Sequence, residues 1–304
     1  MLRWRLLTAA FILTPLITLL ALDVRCNGGV PGIWLIPGGW VLLLLATAEM
    51  LELMQFGVSS VRWTVYAGGS LVYLGACLPA MLRARTVAQT SGEPLTGLAW
   101  VTVALVLASM LVFVAEMLQY REPGQSIRRL ALAVAAIVYP CTFLALLAQL
   151  RFVRDNAWGM AALVSLVFVV KLSDTAAYTA GKLCGRHKLA PLLSPGKTVE
   201  GAVGALAGAV LAAGVYFQWL VPWAMGSDAA VTSWGGCVLF GLLVGVAGMV
   251  GDLAESLFKR DAGRKDSSHW LPGLGGILDI LDSLLLAAPV ALFCWLIGMV
   301  GPHP

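Results

Sequence analysis

The chain has 304 residues, 60% hydrophobic and only 12% charged, where a soluble domain carries about 25% charged residues. With a mean hydropathy of +0.88 and a net charge of +4, it is excluded as a soluble globular enzyme and as a nucleic-acid binder; the composition is that of an all-α polytopic membrane protein. Its six cysteines, at 26, 77, 141, 184, 237 and 294, have no C-x-x-C spacing. They read as small buried hydrophobes rather than as a zinc site or a disulfide framework.

Taken in order, the apolar runs give nine predicted spans, near 6–22, 33–53, 64–82, 96–118, 130–150, 158–180, 202–223, 233–253 and 277–300. Each approaches the roughly 20 residues that cross a hydrocarbon core. The first follows Arg3 and Arg5 and ends at Asp23-Val24-Arg25-Cys26, without a small-x-small cleavage site, so a retained span is expected rather than a signal peptide. The third, with Gly68, Gly69 and Gly75 inside it, is the weakest helix signal.

With the N-terminus inside, fourteen Lys and Arg fall in cytoplasmic segments and five on the opposite side. That asymmetry predicts an N-in, C-out topology. Loops 181–201 and 254–276 then face the cytoplasm, where nucleotides are.

Two domains are expected. Residues 1–154 form an N-terminal scaffold of about five spans, lipid-facing and open to homodimer formation. Glu49, Glu52 and Glu116 read there as solvated interfacial carboxylates. Residues 155–304 hold the polar groups that need a function. Ionisable groups at the edge of apolar spans are expensive and mark sites by default. The small-residue pattern Gly201, Gly204, Gly208 reads as close helix packing.

Two segments carry the chemistry. In the first, Lys171, Asp174 and Tyr178 are three and four residues apart and share a helix face. A buried ion pair that only fixes packing is the bland alternative for Lys171 and Asp174. Downstream, Ser194-Pro-Gly-Lys197-Thr198 is expected to make a tight turn into a helix, offering backbone N–H groups, Lys197 and Thr198 to phosphate. Its spacing is not that of a Walker A loop. The second segment, 251–283, packs six acidic and four basic side chains between two apolar runs. Asp252, Glu255 and Lys259 fall on one helix face, and Asp279 and Asp282 are three apart. Carboxylates so placed suit a shared divalent ion. Gly273, Gly275 and Gly276 allow a sharp return of the backbone. Lys259, Arg260 and Lys265 can neutralise phosphate charge. A salt-bridge network within the membrane is the alternative reading.

The order Ser256-Leu-Phe-Lys259-Arg260, Lys265-Asp266, Leu271-Pro272-Gly273-Leu274-Gly275-Gly276, Asp279-Ile280-Leu281-Asp282 resembles the diagnostic pattern of the phosphatidate cytidylyltransferases, also called CDP-diacylglycerol synthases. Asp174 to Tyr178 and Ser194 to Gly201 resemble a second hallmark of that family, and the likeness covers about 158–295. It implies transfer of a cytidylyl group from CTP to phosphatidic acid in a bacterial inner membrane, giving CDP-diacylglycerol and pyrophosphate. It implies Mg2+, paired with a monovalent ion such as K+. Carried over by position, Asp252, Asp279, Asp282 and Asp174 are the expected metal ligands. Asp252, Asp279, Lys259 and Lys265 are the expected catalytic groups, and Ser194, Lys197, Thr198, Arg260, Gly275 and Gly276 the substrate contacts. Glu200 is expected to orient Lys197 or the loop.

Two positions depart from the family: Leu274 stands for its His, and Ile280 for its Arg. His269 is the only nearby substitute, and a solvated role suits it better. Rival readings are a CTP-dependent lipid kinase or archaeol cytidylyltransferase, a non-catalytic relative, and an ion or lipid transporter. A transporter would place acids at mid-span in both halves; here they gather in the C-terminal half.

Overall fold

The computed structural model describes residues 2–55, 59–85, 95–121, 123–226, 232–268 and 275–302. Nine long helices run through them: α1 (Leu2–Arg25), α2 (Leu35–Leu53), α3 (Ser59–Arg85), α4 (Leu95–Leu118), α5 (Ser126–Phe152), α6 (Asn156–Cys184), α7 (Val199–Met225), α8 (Trp234–Asp261) and α9 (Ile277–Leu296). Helices α2 to α9 are long and apolar enough to cross a membrane, and α1, at 24 residues, is long enough by length. The protein is an all-α polytopic membrane protein and has, among the described residues, one small hairpin, β1 (Lys188–Ala190) against β2 (Ser194–Thr198).

Large apolar side chains such as Met117, Leu211 and Phe293 are more than half exposed, as a lipid-facing surface requires. Where lipid is as apolar as Leu, helices associate through close packing and buried hydrogen bonds. The third span illustrates this. Its glycines do not break α3, because Gly68 and Gly75 face Ala108 and Ala104 of α4, where an added methyl would stand 3.1 and 3.2 Å from theirs. Two helices carry a wider π turn, Ile137–Thr142 in α5 and Tyr216–Leu220 in α7. In α5 it contains Pro140, which has no N–H to give the ladder.

The chain falls into two compact units: residues 1–152 with 261–281, and 153–260 with 282–304. The first is pinned by buried polar groups. Asp23 is fully buried, accepts from the Gly32 and Trp34 amides, and lies 2.6 Å from Arg151 Nε. Gln149 donates to the Ala76 carbonyl at 2.6 Å. The second unit has an aromatic core in which Phe217 meets Phe240 edge-on and Trp295 at a tilt. Tyr216 donates to the Ala161 carbonyl and Trp295 to Ser165. All six cysteines are free; Cys77, Cys141, Cys237 and Cys294 are buried as expected, whereas Cys26 and Cys184 are exposed.

Candidate functional site

Within the second unit the site is built on α6, β2, α8 and α9. Asp155 caps α6, its Oδ1 accepting the amides of Ala157 and Trp158 at 2.9 Å. That helix carries Lys171 and Asp174, whose charged atoms are 3.5 Å apart and each about 43% exposed. Helix α8 approaches α9 at Gly251, where a side chain would collide with the Asp282 carbonyl. Asp252 therefore stands within electrostatic reach of both Asp282 and Asp174. Ser283 orients Asp282, donating to its Oδ1 from backbone at 2.5 Å and from its hydroxyl at 2.8 Å. The same hydroxyl lies 3.5 Å from Asp174 Oδ2.

The hairpin completes this group. Ser194–Thr198 is an extended strand, not the expected tight turn, because it pairs with Lys188–Ala190 and the turn falls at 191–193. Thr198 ends the strand and caps α7, accepting the Gly201 amide at 3.1 Å. Its hydroxyl proton remains available to donate. The strand delivers Lys197 to 2.7 Å from Asp252 Oδ2. Glu200 does not touch Lys197. It accepts from the Arg186 and His187 amides and lies 2.7 Å from His187 Nδ1, holding the loop before β1.

The other basic residues expected at the site have partners or exposure of their own. Lys259 pairs with the buried Glu255 one turn away on α8. Arg260 donates to the Leu193 carbonyl at 3.1 Å and so ties the end of α8 to the hairpin turn. Lys265 is exposed. His269, Leu271, Pro272, Gly273 and Leu274 lie outside the described residues.

In the first unit, Asp279 sits in the first turn of α9. Its Oδ2 accepts from the Ser267 amide at 2.9 Å, the Ser267 hydroxyl at 2.7 Å and the Gly276 amide at 2.8 Å. Glu49 and Glu116, expected to be solvated, are buried instead. Glu116 pairs with Arg129 at 2.7 Å. Glu49 is 6% exposed because it fills the start of α9. Its Oε1 accepts from the Ser268 hydroxyl and the Ile277 amide, and its Oε2 from the Ser267 hydroxyl and the Leu278 amide, all at 2.9–3.0 Å. Those amides are helix-start donors with no partner in their own helix. Glu52 is exposed, as expected. The pair Gly275-Gly276 is required twice over: Gly275 has φ +84°, and any side chain at Gly276 would overlap Ser267 and Glu49.

The sequence marked Glu49 only as a solvated carboxylate, and Ser267, Ser268 and Ser283 were not singled out at all. The two serine positions beside the charged segment and the Ser after Asp282 were visible, but nothing in sequence distance joins Glu49 to residues more than 200 positions away.

The donor set fits a hard divalent cation: the carboxylates offer oxygen alone, and Asp252 already carries a cationic ammonium at contact distance. Among the described residues no three His, Cys, Asp or Glu side chains converge to enclose an ion by themselves. Mg2+ in phosphate chemistry is commonly held by one or two carboxylates, substrate phosphates and water, a role that Asp252 and Asp282 can serve.

Comparison with known proteins places the chain in a family. The model of the cytidylyltransferase family matches residues 5–297. An uncharacterized protein of Escherichia coli, YnbB, is 42% identical over 136 residues, 44% of this chain and 43% of that one. The phosphatidate cytidylyltransferase of Brucella suis is 43% identical over 150 residues, 49% of this chain and 51% of its own. That of Haemophilus influenzae is 37% identical over 139 residues, 46% of this chain and 47% of its own. The chain thus spans about half the length of the curated relatives it matches. With the match running almost from end to end, the chain belongs to the cytidylyltransferase family.

Proposed function

We propose that this protein is a phosphatidate cytidylyltransferase of a bacterial inner membrane, using cytoplasmic CTP and phosphatidic acid drawn from the bilayer. The observation that carries the reading is the seating of Lys197 against Asp252, with Asp174 and Asp282 in electrostatic reach. Such an alternation of cation and carboxylate suits a polyphosphate with its metal.

A phosphate oxygen of phosphatidic acid attacks the α-phosphorus of CTP. The new P–O bond forms as the bond to the bridging oxygen breaks, and the electron pair leaves with pyrophosphate. The attacking group is already anionic, its second pKa being about 6, so a strong general base is not needed. Two anions must be brought together, and charge neutralisation with in-line positioning supplies most of the acceleration. Mg2+, when bound, would supply positive charge that offsets the charge of the phosphates and of the leaving pyrophosphate.

Asp252 and Asp282 would hold the metal, with Asp174 beside them. Asp279, one turn before Asp282 on the same helix, keeps the ligand role that the motif implies. Its hydrogen bonds to Ser267 and Gly276 are of the kind that orients ligating carboxylates. Lys197 and Thr198 meet phosphate oxygens, with Ser194 on the same strand. Lys171 balances Asp174. Arg260 supports the hairpin, and Lys259 and Lys265 contribute positive charge at the start of the return loop.

The purified protein, given radiolabelled CTP, phosphatidic acid and Mg2+, should form a lipid-extractable cytidylyl product that EDTA abolishes. CTP binding without product, across phosphatidic acid and other phospholipid or polyprenol acceptors, would overturn the reading.

A further inference from the structure

We infer that Glu49 is a positioning residue for Asp279, acting through the hydroxyl of Ser267. The inference rests on the ligand role proposed for Asp279. Glu49 lies in the last turn of α2, in the half of the chain that holds no motif, yet it makes four hydrogen bonds to the segment that ends in Asp279. Two of these come from the backbone of α9 itself, so Glu49 fixes where that helix begins. The other two come from Ser267 and Ser268, fully and nearly buried respectively.

Ser267 joins the two carboxylates. Its hydroxyl oxygen is 3.0 Å from Glu49 Oε2 and 2.7 Å from Asp279 Oδ2. A serine has one hydroxyl proton, so that proton is shared between two acceptors. Displacing or neutralising Glu49 therefore changes what Asp279 receives. The Ser267 amide and the Gly276 amide hold the same Asp279 oxygen from other sides. Asp279 is in this way confined in rotation, and the confinement originates in α2. A bulk structural carboxylate would not need to reach the hydroxyl that touches the ligand.

Two substitutions separate positioning from mere folding. Glu49→Gln keeps the shape but turns one acceptor oxygen into a donor, which must oppose either the Ile277 or the Leu278 amide. Ser267→Ala leaves Glu49 its backbone partners and removes only the shared hydroxyl. Three readouts are taken in detergent-solubilised full-length protein: amide hydrogen exchange over residues 277–278, Mn2+ binding followed by electron paramagnetic resonance, and turnover of CTP as a function of Mg2+. Glu49→Gln is expected to lose exchange protection at 277–278. Both variants should bind Mn2+ about tenfold or more weakly, the range seen when groups that orient ligands are lost. In turnover, the Mg2+ concentration for half-activation should rise by the same factor while KM for CTP stays within about twofold. The double variant should be no worse than Glu49→Gln alone, because the two act in one chain.

Unchanged Mn2+ binding in Ser267→Ala overturns the inference, whether or not Glu49→Gln folds. Weaker Mn2+ binding in both variants, alongside a wild-type protein that forms no CDP-lipid, would retain the positioning role and reject the proposed reaction.

Discussion

The ammonium of Lys197 lies 2.7 Å from Oδ2 of Asp252, joining a strand of the hairpin to a helix 55 residues further along the chain. The side chains are partly buried, Lys197 24% and Asp252 35% exposed, and the ammonium nitrogen itself is shut off from solvent. In a partly buried pair of this kind desolvation offsets much of the attraction, so its net contribution to stability is small. Its placement matters instead for what can replace each partner, since a phosphate can take the ammonium and a cation the carboxylate.

Lys197→Ala should therefore raise KM for CTP by roughly 10–100-fold, the loss of one charged hydrogen bond of about 1.5–3 kcal/mol, with a smaller change in kcat. Steady-state kinetics at saturating Mg2+ test this. An unchanged KM would assign Lys197 to the hairpin's structure alone.

Asp252→Asn and Asp282→Asn remove a charge with almost no change of shape. Each should lower kcat by about 10²–10³-fold, as when one stabilising group at a charged transition state is lost. Thermal unfolding should be preserved. Wild-type turnover in either variant would remove that residue from the metal site.

Gly276→Ala should lower both melting temperature and turnover, because the new methyl overlaps Ser267 and Glu49. Gly235→Ala is the control: among the described residues nothing outside its own helix turn lies within 4 Å of a methyl there, so the melting temperature should hold or rise slightly. Equal behaviour of the two variants in thermal unfolding would contradict the packing described around Gly276.

Arg151→Met strands the fully buried Asp23. Breaking a buried pair from one side costs about 3–5 kcal/mol, so the variant should unfold at markedly lower temperature or denaturant. The molecules that remain folded should turn over CTP at the wild-type rate. A melting temperature equal to wild type would show that Asp23 is held by the Gly32 and Trp34 amides alone.

The nine helices were legible in sequence because a span needs a long apolar run whatever surrounds it. Asp252 with Glu255 and Lys259 was equally legible, since residues three and four apart share a helix face by local geometry. The hairpin was not. Ser194-Pro-Gly-Lys-Thr has the composition of a turn, and only its pairing with Lys188–Ala190 makes it a strand.

The carboxylates of the first half show the same limit from the other side. Glu49, Glu52 and Glu116 look alike in sequence, each near the end of an apolar run. One is solvated, one pairs with Arg129, and one fills the start of α9. Their difference lies in partners that the chain brings back from elsewhere.

By itself the sequence determined a polytopic helical membrane protein with ten of its sixteen acidic groups in the C-terminal half, since apolar length and helical spacing are properties of the chain alone. Only the tertiary structure decided that Lys197 meets Asp252 and that Glu49 sits under α9. An ion pair or a buried carboxylate depends on which donors arrive within about 3 Å, and distance along the chain says nothing of that.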